Sequence, residues 1–327
     1  MNGLVSEAAF SPDGQTLIVS AADTVELWNV RTHHRITTLT PCSAGDQGCP
    51  DQRNTCPRVS CSDSWYSSTA IAPDGRTLAA AGVRSSGDYS YRVVDIWDLP
   101  TRRLVATFAN TDITPGGLVF GPDPHVLIGI GDEKAGRDYQ HVATTWDVPS
   151  GRVLARMTFD AIVGEPAISH DGQHLAVIAR TDPAAVEIWQ LANGRKETTF
   201  DYRAIKEVTF SPDDRLLAMA APDNSVILAD TTGQHSAVKL FGPITLRFSP
   251  VVAVAISPNG TLLAGVTSAG LILLWNLRDN SFAGYTKIPD CPIGICVNDS
   301  SVATFSSDSQ LLAVTRSSGD VDVFRLR

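Results

Sequence analysis

No run of 18 apolar residues occurs in this 327-residue chain, so the sequence predicts no helical membrane insertion. Basic clusters are missing too. Lys and Arg number 26 against 35 Asp and Glu, and no more than two basic residues stand together. A net charge of −9 offers little to a phosphate backbone, which argues against nucleic acid as a partner. The 3.6-residue periodicity of an amphipathic helix appears over no useful length, which excludes a helical architecture. Residues 1–6 lack the basic and apolar regions of a signal peptide. There is no G-x-S-x-G, no H-E-x-x-H and no Gly-rich phosphate loop. The seven histidines are scattered, with His33 and His34 in a polar turn. The expectation is a chain that is not an enzyme, with no cofactor and no metal.

What is present is a sentence written seven times. It reads AAFSPDG…VELWNV, TAIAPDG…VDIWDL, GLVFGPD…ATTWDV, PAISHDG…VEIWQL, EVTFSPDD…VILAD, AVAISPNG…LILLWNL and ATFSSDS…VDVFRL. The residue before each turn is Phe10, Ile71, Phe120, Ile168, Phe210, Ile256 or Phe305, at spacings of 61, 49, 48, 42, 46 and 49. A period in that range marks a repeat architecture. Pro pre-sets one dihedral of the turn, Asp bonds back to its own backbone, and Gly accepts positive φ. Asp13, Asp74, Asp123, Asp171, Asp213 and Asp308 recur at this one position, which is the mark of turn chemistry. Each unit has room for four short strands and no helix. One such sheet cannot bury both faces, but seven stacked radially can. The sequence therefore predicts an all-β, seven-bladed β-propeller of four-stranded antiparallel blades, a single domain over 1–327. Neither end supplies an obvious outer strand for blade seven. That blade is expected to be incomplete, or the chain to be a module of a longer protein.

The repeats resemble the WD-repeat (tryptophan–aspartate repeat) propellers. The dipeptide is intact at Trp97-Asp98 and Trp146-Asp147, relaxed at Trp28-Asn29, Trp189-Gln190 and Trp275-Asn276, and lost at Ala229-Asp230 and Phe324-Arg325. The Gly-His that precedes the inner strand in that family is missing from every repeat, so its His–Trp hydrogen-bond network does not carry over. The tolB-like propellers share the Ser-Pro-Asp-Gly turn and are the alternative at the level of fold.

Four insertions interrupt the regularity. Two lie between blades, at 41–67 and 286–301. Two lie between second and third strands, VRSSGDYSYR and DEKAGRDYQH, and stretch the distance from turn to Trp to 26 residues in repeats two and three. Strand order sends all four to one face. They hold Trp65, Tyr66, Tyr89, Tyr91 and Tyr139, whose large apolar area and polar handle suit partner contact. The competing reading of Trp65 and Tyr66 is the small core of their own loop. The insertions also hold Cys42, Cys49, Cys56, Cys61, Cys291 and Cys296.

Three disulfides would imply an oxidising, extracytoplasmic compartment. The short separations favour Cys291 with Cys296, Cys42 with Cys49 and Cys56 with Cys61. A four-thiolate zinc site in the first loop would lack C-x2-C knuckles, and free thiols, with a cytoplasmic location, are the third option. Glu7, Glu165 and Glu207, at inner-strand starts, form a remote candidate for a Ca²⁺ rim. The functional expectation is a scaffold that binds a protein or peptide on its decorated face, with an accessory propeller of a tolB-like hydrolase as the alternative. Oligomeric state and partner identity are not legible.

Overall fold

The computed structural model describes residues 5–21, 24–40, 64–86, 89–109, 113–135, 138–159, 166–179, 184–242, 249–289, 291, 296–297 and 301–326. It is an all-β, seven-bladed propeller with an incomplete seventh blade. Blade one comprises β1 (Val5–Phe10), β2 (Thr16–Ala21), β3 (Thr24–Asn29) and β4 (Arg35–Leu39). Blade two comprises β5 (Ser64–Ile71), β6 (Thr77–Ser86), β7 (Tyr89–Asp98) and β8 (Arg103–Ala109). Blade three comprises β9 (Ile113–Phe120), β10 (Val126–Ala135), β11 (Asp138–Asp147) and β12 (Arg152–Phe159). Blade four comprises β13 (Ala167–Ile168), β14 (His174–Ala179), β15 (Ala185–Gln190) and β16 (Arg195–Phe200). Blade five comprises β17 (Val208–Phe210), β18 (Leu216–Ala221), β19 (Ser225–Asp230) and β20 (Val238–Phe241). Blade six comprises β21 (Val251–Ile256), β22 (Leu262–Thr267), β23 (Leu271–Asn276) and β24 (Ser281–Lys287). Blade seven has three strands, β25 (Ala303–Phe305), β26 (Leu311–Thr315) and β27 (Val321–Arg325).

Contacts divide the chain into two compact units, Met1–Phe159 with blades one to three and Asp160–Arg327 with blades four to seven. In the first unit, Ile18, Val25 and Leu27 pack on Leu78, Ala80 and Trp97 of blade two. The other face of blade two sets Ala79, Ala81, Val94 and Ile96 against Leu118, Leu127 and Trp146. In the second unit, Ile178 and Ile188 meet Leu217 and Met219, and Ala218 and Val226 meet Leu263 and Trp275. Alternation along every strand thus feeds two cores, one per face. Where the indole of Trp146 crosses β10 the partner must be Gly129. A Cβ there would lie 2.5 Å from the ring.

The Ser-Pro-Asp-Gly turn is a closed hydrogen-bond unit. In blade one the Ser11 hydroxyl donates to Asp13 Oδ1 at 2.5 Å and accepts from Thr16 N at 3.0 Å, while Gln15 N donates to the same carboxylate. The pattern repeats at Ser169, Ser211, Ser257 and Ser306. Ser11 holds the Asp13 carboxyl below its ordinary value, and Ser211 and Ser306 do the same for Asp213 and Asp308.

Two departures from Gly in this turn have a use. Asp214 and Ser309 take positive φ themselves, at 59° and 60°. Asp214 then accepts from His170 N at 2.7 Å and Asp171 N at 2.9 Å in the turn of blade four. The Ser309 hydroxyl accepts from Asn259 N of blade six at 3.2 Å. A residue that costs some backbone strain links neighbouring blades.

Candidate interaction site

In blades two and three the insertions between second and third strands are not loops. They continue the ladder, so β6, β7, β10 and β11 are each ten residues long, against six in the corresponding strands of blades one, four, five and six. The register runs without a break from Thr77↔Asp98 to Ser86↔Tyr89, and from Val126↔Asp147 to Ala135↔Asp138. Tyr91 therefore stands opposite Arg84, Tyr89 opposite Ser86 and Tyr139 opposite Lys134. These three tyrosines lie on paired strands, and their side chains fall outside the described residues.

Trp65 and Tyr66 also leave the expected loop, because β5 begins at Ser64. They pair with Val83 and Gly82 at the base of the long hairpin. Alternation sends them to opposite faces. Trp65 is 50% exposed, whereas Tyr66 is 2% exposed and packs edge-on against Trp97. Tyr66 is thus not an exposed anchor in this structure. Its hydroxyl is committed to the blade, donating to Asp95 Oδ2 at 2.6 Å.

Asp95 organises the base of that hairpin. It is fully buried, and its other oxygen accepts from Thr107 Oγ1 at 2.7 Å. Arg84, from the start of the extension, forms an ion pair with it. Burial, together with the Asp95 charge, pushes the Tyr66 phenol well above its ordinary value of 10.0. Burial pulls the Arg84 guanidinium down, but Asp95 outweighs it and the net shift is upward. Both shifts keep Arg84 a cation and Tyr66 a neutral donor beside Asp95. Blade three fastens its extension with polar contacts as well. His141 Nδ1 lies 2.5 Å from Asp132 Oδ1, and Glu133 pairs with Arg156 and accepts from Gln140 at 3.2 Å.

Sequence reasoning passed over this buried acid. It sits two residues before the Trp in V-E-L-W, V-D-I-W and V-E-I-W, so strand alternation places it on the Trp face. Glu26 accepts from Trp28 Nε1 at 2.9 Å and Arg35 at 2.8 Å. Glu187 accepts from Trp189 Nε1 at 2.9 Å and Lys196 at 2.8 Å. The period-two spacing was the available signal.

The cysteines are described only in part. Cys291 and Cys296 form a disulfide, consistent with an oxidised, extracytoplasmic environment. It is buried against Gly270, where a Cβ would lie 2.2 Å from the Cys291 sulfur. Cys42, Cys49, Cys56 and Cys61 lie outside the described residues, and so does their pairing. Of the candidate Ca²⁺ rim, Glu165 lies outside them too. Glu7 is occupied by Thr69 of blade two, and Glu207 accepts from Val254 N of blade six at 2.6 Å. These acids tie one inner strand to the next. Among the described residues no group of three His, Cys, Asp or Glu is placed to hold a metal, and no helix is long and apolar enough to cross a membrane.

The resemblance to WD repeats is corrected by the comparison with known families. Residues 155–324 match the family described as the lipoprotein LpqB beta-propeller domain. The geometry explains how the dipeptide misleads. Its Asp is a turn cap: Asp98 and Asp147 accept from Thr101 N and Ser150 N at 3.1 Å, as Asn29 does from Thr32 N at 2.9 Å. A side-chain acceptor after the Trp position caps this turn in blades one, two, three, five and six. The indoles of Trp28 and Trp189 donate to the nearby acids rather than into a His network. No curated protein matches the chain. Among solved structures, the chain is similar to Kuenenia stuttgartiensis hydrazine synthase, with a TM-score of 0.71 at 16% identity. The alignment covers 98% of this chain and 94% of that one, and shows a shared fold.

Proposed function

The chain belongs to the lipoprotein LpqB beta-propeller domain family, and from that footing we propose that it is a non-catalytic platform that binds a protein or peptide. The partner meets the long hairpins of blades two and three. The observation that carries this reading is the extension of those hairpins, built on a locked base. Their strands run four residues beyond the six that suffice in other blades. The extension carries Tyr89, Tyr91 and Tyr139, with Trp65 exposed at its foot. A base fixed by Arg84–Asp95 lowers the ordering cost of binding. The net charge of −9 favours a neutral or basic partner.

A second reading is an accessory domain of a larger enzyme, since the similar solved structure is named for a synthase. A catalytic domain in the same polypeptide would favour it. The direct test is recovery of partners from the native organism by wild type, by Tyr89→Ala/Tyr91→Ala and by a distant control, His33→Ala/His34→Ala. The tyrosine pair is expected to lose at least one partner by about tenfold or more, the scale of a small hot spot, while the histidine pair keeps it. Equal recovery by both variants overturns the reading.

A further inference from the structure

The fourth strand breaks register at the same place in five of the blades. Beside the Trp, one of its residues has no partner across the ladder. That residue is Ile36 between Arg35 and Thr37, Val105 between Leu104 and Ala106, Leu154 between Val153 and Ala155, Glu197 between Lys196 and Thr198, and Ala283 between Phe282 and Gly284. Such a β-bulge re-aims a side chain. In blades one to three the side chain is aliphatic and stands in solvent: Ile36 is 39% exposed, Val105 54% and Leu154 46%. Val153, beside Leu154, is exposed as well. Blades four and six put Glu197 and Ala283 at the bulge, and Phe282 next to it leans edge-on against Trp275. Single exposed aliphatics need no explanation. One bulge filled the same way in three successive blades does.

The turn that leads into each of these bulges is basic. From the residue after the Trp to the bulge, blades one to three hold Arg31, Arg35, Arg102, Arg103 and Arg152 against Asp98 and Asp147. His33 and His34 are exposed in the same turn of blade one. Arg35 pairs with Glu26, whereas Arg31, Arg102 and Arg103 have no ion-pair partner among the described residues. Asp98 and Asp147 cap their own turns. The carboxylates of the inner turns, Asp13, Asp74 and Asp123, lie between first and second strands, away from this outer edge. The arc thus carries a cationic surplus in a chain of net charge −9. The matching segments of blades four and six are nearly balanced, with Arg195, Lys196 and Arg278 against Glu197 and Asp279.

We propose that the outer rim of blades one to three is a docking face for an anionic lipid bilayer. The guanidinium groups draw the rim to the headgroups, and Ile36, Val105, Val153 and Leu154 enter the boundary between headgroups and acyl chains. The shape of the rim favours a bilayer over a protein. Its aliphatic side chains stand on three separate sheets with polar turns between them, so they line no common groove. A protein partner would have to be shaped to all three, whereas a fluid surface takes up isolated protrusions. This rim lies where third and fourth strands join, and the long hairpins close the opposite ends of the third strands. A rim seated on lipid therefore leaves the hairpins free to meet their own partner.

The test is co-sedimentation of the purified chain with two kinds of vesicle, phosphatidylcholine alone and equal parts phosphatidylcholine and phosphatidylglycerol, at low and at physiological salt. The anionic vesicles should bind it and the neutral ones should not, and salt should weaken the binding. Arg102→Gln/Arg103→Gln should weaken it by about 30-fold, at about fivefold for each cation near the surface. Ile36→Ser/Val105→Ser/Leu154→Ser keeps every Arg and should still weaken it by about tenfold or more. Arg195→Gln/Arg278→Gln, on blades four and six, should bind like wild type. So should Tyr89→Ala/Tyr91→Ala, which separates this face from the hairpins. Unfolding midpoints of the rim variants should match wild type, because every altered position is exposed. Failure of the unaltered protein to bind anionic vesicles at low salt overturns the proposal. So does full binding by the Ser variant, and so does a rim that takes polyglutamate but not the vesicles.

Discussion

Blades two and three and blades four to six solve the same packing problem with different amounts of chain. In blades four to six, second and third strands of six residues suffice to bury Leu175, Ile188, Leu217, Met219, Leu263 and Trp275 completely or nearly so. In blades two and three the same core positions are filled, and then both strands run four residues further. Among the described residues, the start of the extra length is held by Arg84–Asp95, His141–Asp132 and Arg156–Glu133. Structure beyond what the core requires, fastened by polar contacts that demand defined geometry, is what a binding surface needs and a fold does not.

The largest effect separating the two regions should come from Arg84→Met. It leaves the fully buried Asp95 charge with only hydroxyl partners. Removing one member of a buried pair costs about 3–5 kcal/mol. Lys196→Met, where the Lys is half-exposed and the buried Glu187 keeps the Trp189 indole in blade four, should cost about 1 kcal/mol or less. Urea unfolding midpoints of the two variants make the comparison. Equal losses would mean that the base of the long hairpin is no more special than an outer-strand ion pair.

A smaller effect should come from the Ser–Asp turn, which recurs in blades one, four, five and seven but not in blades two and three, where Ala72 and Gly121 stand in place of the Ser. Asp13, Asp213 and Asp308 hold carboxyls below the ordinary 3.8, chiefly through the preceding Ser hydroxyl. The folded state then binds fewer protons than the unfolded one near that pH. Their contribution is fully present above 3.8 and is lost as pH falls through the lowered folded values. Ser211→Ala removes the donor, and also the acceptor of Leu216 N. It should cost about 1–2 kcal/mol near neutrality and make the acid limb of melting temperature against pH shallower. An unchanged limb would show that the turn carboxylates do not govern acid stability.

The seven blades were legible because turn chemistry and period-two alternation recur in the chain itself, and so was the short third edge of blade seven. The Cys291–Cys296 pair was legible from its separation. The long hairpins were misread as loops, since Gly87-Asp88 and Gly136-Arg137 look like breakers while the four flanking residues on each side are polar enough to hide the ladder. Tyr66 was misplaced for a related reason. Parity along β5, shifted by the bulge between Tyr66 and Ser68, decides its face, and a loop reading has no parity. The family was misread because the dipeptide here reports a turn cap.

The most direct test of the hairpin account is to shorten the hairpin itself. Residues 85–90 are replaced by Asn-Gly, joining Arg84 to Tyr91 through a two-residue turn and keeping the Arg84–Asp95 pair. The account predicts stability within about 1 kcal/mol of wild type, as for other changes away from the core, together with loss of the partner that Tyr89→Ala/Tyr91→Ala loses. Full recovery of that partner by the shortened protein would contradict it.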